Sequence, residues 1–326
     1  MPSDLVFVTG ATGFIGSHVA RALVAEGYRV RALVRRPGAK VEGAQTVEGD
    51  LREPGKLAHN LRDCRYLVHC AALYSFAPRD RQLMSEVNVA GTEGLLEAAR
   101  VAGVERAVVT SSGSTVGPAS NGTPATESGW SLSAHRSAYH HSKLEQERAA
   151  LAARVPTVLV LPTSPVGPGD WKPTPTGRLV LDFARGRIPA RPSGAGGINL
   201  VAVEDVARAH VAALRLGTAR ERYLVGGENL TFDEVWDLLA AATGRPAPRL
   251  RLPFAVALAA GFVDELRCRV SASAVPAVPL EGVRMSRERM YVDSSKASKE
   301  LGYQAGSVRD ALGRAVAWYR ANGYLN

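Results

Sequence analysis

Residues 5–16 read Leu5-Val6-Phe7-Val8-Thr9-Gly10-Ala11-Thr12-Gly13-Phe14-Ile15-Gly16. The first five form a β-branched, apolar run suited to a buried strand. The apolar positions that follow, Ile15, Val19 and Leu23, recur at i and i+4, as on a helix. A strand, a glycine turn and a helix in that order make a nucleotide-phosphate site. Gly10 can turn tightly, Gly13 lets backbone N–H groups approach a pyrophosphate, and Gly16 lets the helix sit close to the sheet. The helix N-terminus adds N–H donors and the positive end of its dipole. Thr12, Phe14 and Ile15 lie in the same turn and join the glycines as candidate cofactor contacts.

Outward from this turn the chain alternates strands with helices. Residues 29–34 read as a second strand ending in Arg35-Arg36-Pro37. In a dinucleotide fold the residue about twenty beyond the glycine turn meets the adenosine ribose, and a carboxylate there binds the 2′-hydroxyl of NAD. Two arginines stand at that place instead, and a guanidinium suits a 2′-phosphate. NADP(H) is therefore the expected cofactor, with NAD(H) the alternative. A third strand near Thr46 ends in Gly49-Asp50-Leu51, where Asp50 is placed to accept from the adenine amino group or to cap the helix after it. Residues 66–72 form a fourth strand closing in Ala71-Ala72, small enough for a cofactor to lie across the sheet edge. A helix is expected from about 84 to 102, then a strand at 107–109. Strands separated by helices predict a parallel, doubly wound α/β sheet of the Rossmann type.

The fifth strand runs into Thr110-Ser111-Ser112, and beyond a Gly/Pro/Ser-rich loop comes Ala138-Tyr139-His140-His141-Ser142-Lys143. Tyr139 and Lys143 are i and i+4 and share one helix face. A tyrosine with a pKa near 10 is a poor acid or base at neutral pH, and a neighbouring ammonium lowers it. A serine hydroxyl can hold a substrate oxygen beside the phenol. Such a pair is ordinary on helices by itself. Its place after a glycine turn and a Ser-Ser strand end gives it a catalytic reading.

With these pieces in view, the chain resembles an extended short-chain dehydrogenase/reductase of the NAD-dependent epimerase/dehydratase type. The matching stretches are TGATGFIG (9–16), GDL (49–51), HCAA (69–72), NVAGT (88–92), TSS (110–112) and YHHSK (139–143). Within that family it is most similar to the dihydroflavonol-reductase-like branch, and closest to bacterial hopanoid-associated sugar epimerases, through PTSPVGPGDWKPTPTGR (162–178), GGENLT (226–231), LEGVRM (280–285) and SSKASKELGY (294–303). The resemblance implies Ser112, Tyr139 and Lys143 as a catalytic triad, with Lys143 also holding the nicotinamide ribose and Arg35 reading NADP. Pro162 and Ser164 would flank the nicotinamide. Tyr74 and Arg178 join Ser112 and Tyr139 as candidate substrate contacts.

The resemblance further implies a cofactor domain over 1–165, to which a strand and helix at 198–216 return, and a smaller C-terminal α/β substrate domain over 166–326. Residues 194–197 read as a flexible glycine joint, Thr231 to Glu234 as a capping box, and 253–267 as an apolar helix with a basic end. That helix suits core packing, a dimer contact or a membrane surface.

Two departures bear on the reaction. Sugar-nucleotide epimerases of this family carry Asn where Ser164 stands and an Arg-Asp-aromatic-x-His stretch where Ile198-Asn199-Leu200-Val201-Ala202 stands. Those positions contact the nucleotide diphosphate, so their loss favours a reductase or dehydrogenase of a small molecule. The alternative is a sugar or sugar-nucleotide epimerase/dehydratase with tightly held NAD. A cofactor sensor without turnover is disfavoured because both Tyr139 and Lys143 stand.

Composition narrows the rest. Of the 40 basic residues only six are lysines, and the arginines are spread along all 326 residues, so the net charge of +9 is no nucleic-acid stripe. Cys64, Cys70 and Cys268 have neither disulfide nor zinc spacing, so no metal is expected and a reduced compartment is. The first strand begins almost at Met1, leaving no room for a signal peptide, and the expected location is the cytoplasm. A second copy of the chain is the expected protein partner, and any membrane contact is peripheral.

Overall fold

The five residues Leu5–Thr9 (β1) are all buried and lie between two parallel neighbours, Arg29–Val34 (β2) and Tyr66–His69 (β4). In the computed structural model, which describes residues 4–75, 78–119, 122–131, 137–194, 196–270 and 280–325, β1 belongs to a seven-stranded parallel sheet. Ala44–Glu48 (β3) closes one edge. Arg106–Thr110 (β5), Thr157–Pro162 (β6) and Arg222–Val225 (β10) extend the other, in the order β10-β6-β5-β4-β1-β2-β3. The chain leaves β1 in one direction and returns to its other side at β4. That reversal is the switch point where ligands bind at the carboxyl ends of strands in open α/β sheets. Gly10 sits at that end.

Strand alternation divides the core between the two faces of the sheet. Val6 and Val8 join Val19, Ala20 and Leu23 of Phe14–Ala25 (α1) and Val206 of Val203–Leu216 (α7). Leu5 and Phe7 join Leu57 of Pro54–Asn60 (α2), Leu95 and Leu96 of Gly91–Val101 (α4), and Ala150 of Ala138–Ala152 (α5). The helix expected over 84–102 is broken into Arg81–Met84 (α3), a π-helical turn Ser85–Ala90, and α4. The wide turn lets Asn88 point back across the site, a use common to such bulges.

A second layer has its own core. Ser164–Val166 (β7), Gly197–Ala202 (β9), Glu228–Thr231 (β11) and Arg289–Met290 (β13) form a four-stranded sheet, and Ala190–Pro192 (β8) pairs with Leu250–Leu252 (β12). Pro175–Ala184 (α6), Phe232–Thr243 (α8) and Val308–Ala321 (α12) pack against the first of these through Leu181, Trp236, Leu239, Leu312 and Tyr319. Phe254–Val270 (α9), Leu280–Met285 (α10) and Ser295–Leu301 (α11) complete the chain. The capping box at Thr231 and Glu234 forms, and Gly244 closes α8 at φ +74°.

Two expectations fail here. Residues 198–216 do not both return to the cofactor sheet: α7 does, packing beside α1, whereas β9 pairs with β7, β11 and β13. The returning strand is β10, which occupies the β6 edge. The apolar pattern of β9 serves both layers, Val201 entering one core and Leu200 and Ala202 another, so alternation alone does not assign it. Nor is the glycine stretch a loose joint. Ala195 lies outside the described residues, but Gly196 is buried against the carbonyl of Ser286, and Gly197 against that of Leu230, at spacings no Cβ would tolerate.

Candidate active site

The glycine turn is shaped by contacts that exclude side chains. Gly10 holds φ +72°, and a Cβ there would lie 2.6 Å from the backbone nitrogen of Ala71. A Cβ on Gly16 would strike the Gly10 carbonyl, so the helix starts hard against the strand end. Gly13 is the N-cap of α1, no side chain caps it, and the first turn holds no acidic residue. The N-terminal N–H groups and dipole therefore face outward with nothing anionic in the first turn, which fits a pyrophosphate. Thr12 and Gly13 are exposed, and Phe14 and Ile15 half-buried, along the same edge.

Beneath the turn lies a buried polar chain. Thr92 donates to the carbonyl of Asn88 at 2.7 Å, so its oxygen accepts from His69 Nε2 (2.9 Å) and Gln146 Nε2 (2.9 Å). His69 Nδ1 then accepts from the Thr9 hydroxyl at 2.6 Å, and Thr9 accepts from Ala71 N at 3.3 Å. The network assigns the Nε2–H tautomer. Burial holds the His69 pKa down at about 3, with Lys143 adding to the effect, so the ring stays neutral. The chain ties the carboxyl ends of β1 and β4 to α4 and α5.

Ser112 follows β5, and Tyr139 and Lys143 lie one turn apart on α5, whose N-cap Ser137 accepts from His140 N. The Tyr139 phenol is hydrogen-bonded to Ser112, and the ring of Tyr74 meets that of Tyr139 edge-on, 4.4 Å between centroids. Burial pushes the Tyr139 pKa up to about 12, and the Ser112 hydrogen bond opposes that rise. Lys143 is buried and donates to the Thr110 carbonyl (2.8 Å) and to Gln146 Oε1. Burial brings its pKa down to about 8, against the opposite pull of Glu147 and Cys70. The expected lowering of the tyrosine pKa by the lysine is thus not what the structure shows. The ammonium is turned to Thr110 and Gln146, and desolvation of the phenol dominates. Asn88 accepts from Leu73 N and donates to Leu73 O and Ser142 Oγ, fixing the segment beside Tyr74 to α5.

The remaining expected residues occupy distinct places. Arg35 and Arg36 are exposed directly after β2, while Asp50 is bound by Arg52 (2.7 Å) and held below the usual carboxylate range by it. Asp50 does not cap α2, whose N-cap is Glu53. Leu51 is buried, Ala71 half-buried and Ala72 exposed beyond β4. Pro162 ends β6 and Ser164 begins β7. Arg178 is exposed on α6 in an ion pair with Asp182 at 3.0 Å, so its partner is on its own helix and not at Tyr139.

One pair escaped sequence reasoning. Glu147, fully buried, continues the Tyr139–Lys143 spacing by four residues and ion-pairs with Arg222 of β10 at 2.9 Å. It also accepts from Ser111 and Thr115, while Arg222 donates to the carbonyls of Glu127 (2.6 Å) and Gly129 (2.9 Å) and lies 4.0 Å over the ring of Trp130. The local signal for Glu147 is the i+4 spacing carried one step beyond Lys143. Nothing local pointed to Arg222.

Comparison with known proteins gives the family. Residues 6–226 match the model of the NAD dependent epimerase/dehydratase family. A putative dihydroflavonol 4-reductase of Synechocystis sp. is 39% identical over 99% of this chain and 96% of its own length. Sterol demethylase protein B of Methylococcus capsulatus is 36% identical over 98% of this chain and 99% of its own. The crystal structure of gox2253 has a TM-score of 0.85 at 38% identity and covers 99% of this chain and 100% of that one.

Proposed function

The chain belongs to the NAD-dependent epimerase/dehydratase family of extended short-chain dehydrogenases/reductases, and within it we propose that it reduces a carbonyl of an apolar small molecule with NADPH. The glycine turn and the carboxyl ends of β1, β4 and β5 would hold the dinucleotide, with Arg35 and Arg36 at the ribose end. Bound there, the nicotinamide supplies the hydride. Ser112 holds the substrate oxygen through its hydroxyl, and Tyr139 donates its phenolic proton to that oxygen as it gains negative charge. Lys143, whose ammonium is held by Thr110 and Gln146, would hold the nicotinamide ribose.

The observation that carries this reading is the Tyr139 phenol hydrogen-bonded to Ser112, one helical turn from Lys143. A reduction calls on the proton of that phenol, and burial raises its pKa. Asn199 also supports this reading. Its amide accepts from Thr163 (2.7 Å) and Gly227 N (2.9 Å) within a buried strand, where diphosphate contacts would otherwise lie. The sterol-named relative supports an apolar substrate.

Tyr139→Phe tests the assignment. Turnover should fall by about a hundredfold or more while NADPH affinity stays near that of the parent, as loss of a general acid requires. A variant that turns over at the parent rate removes Tyr139 from the chemistry.

A further inference from the structure

The second layer exposes a continuous apolar face. On α9 the side chains of Val256, Phe262, Val263, Leu266 and Val270 are between 51% and 83% exposed. Positions 256, 263 and 270 are seven apart and 262 and 266 four apart, so all five lie on one stripe. The inner side of the same helix is closed: Ala257 is buried, and Gly261 packs against Leu280 of α10. A lone exposed Leu is ordinary, but five large apolar groups in register are an interaction surface.

Charge at the rim selects the partner. The Arg284 guanidinium lies 5.6 Å over the ring of Phe262 and that of Arg287 4.7 Å over Phe254. Between residues 249 and 289 the chain carries seven arginines against four carboxylates. A two-fold contact between copies would set this patch on itself and bring Arg284 and Arg287 towards their own equivalents. An anionic bilayer meets both features, taking the apolar stripe at the acyl boundary and the guanidinium groups at its phosphates. At 17 residues, about 25 Å, α9 is suited to lie flat, and among the described residues no helix is long and apolar enough to cross.

We propose that the outward face of α9 docks the protein on anionic membrane surface. The face is tied to the catalytic loop, since α10 leads into β13, where the Arg289 carbonyl accepts from Ala119 and the Tyr291 carbonyl from Ala125, in the loop that follows Ser112. Docking stands apart from the reaction assigned above, because it is read without substrate.

The test is co-sedimentation of the whole protein with phosphatidylcholine vesicles and with vesicles of phosphatidylcholine and phosphatidylglycerol. The parent should pellet with the anionic vesicles in preference to the neutral ones. The triple variant Phe262→Ser/Val263→Ser/Leu266→Ser should lose about tenfold or more in apparent affinity, with its circular dichroism and thermal unfolding unchanged. Arg284→Gln/Arg287→Gln should remove most of the preference for phosphatidylglycerol. A parent that stays in solution with both vesicles overturns the proposal, as does a folded triple variant that binds like the parent. A dimer in light scattering that the triple variant dissociates, with no vesicle binding, assigns the face to a second copy and overturns it equally.

Discussion

Arg35 stands one residue beyond β2, exposed, with Arg36 beside it and no carboxylate before Glu42. A charge-assisted hydrogen bond from it to a 2′-phosphate is worth about 1.5–3 kcal/mol, so Arg35→Ala should weaken NADPH by that amount and leave NADH almost unchanged. Equal losses of both cofactors in a binding titration would show that the side chain does not read the phosphate. At this scale the sequence was informative wherever chemistry and spacing coincide. Gly10 and Gly16 are glycines because backbone occupies the place of their Cβ atoms, and Tyr139 meets Ser112 as their positions suggested. The direction of the Tyr139 shift was not legible. It depends on how much water the fold removes and on where Lys143 points, and spacing reports neither.

Helix α5 works as one element because Tyr139, Lys143 and Glu147 share a face, and the Glu147–Arg222 pair fastens that face to β10 and the loop after Ser112. Removing one partner leaves a buried charge, so Arg222→Met should cost about 3–5 kcal/mol in urea unfolding, and Glu147→Gln/Arg222→Met should recover most of it. A single variant within about 1 kcal/mol of the parent contradicts a fastening role. Because Glu147 raises the Lys143 pKa, Glu147→Gln should let it fall below about 8 and move the alkaline limb of the activity profile to lower pH. Elements with one apolar face and a clear cap, such as α8, were readable from the sequence. The π-helical turn at Asn88 was not, since its cause is a contact with Leu73 and Ser142. Arg222 is likewise defined by a partner far along the chain.

As a whole, the molecule combines a seven-stranded cofactor sheet with a smaller layer whose sheet, helices and core are its own. The alternation of strands and helices made the first layer legible. The second was partly hidden, because β9 is apolar on both sides and its membership is decided by β10 taking the open edge. The reaction also belongs to this scale. An epimerase must keep its nucleotide through oxidation and re-reduction, whereas a reductase must release it in every cycle. The nucleotide content of the purified protein, measured after denaturation, therefore tests the account most directly. The account predicts little retained nucleotide, with any present being NADP(H) that exchanges with added NADPH. Stoichiometric, tightly held NAD⁺ would contradict it.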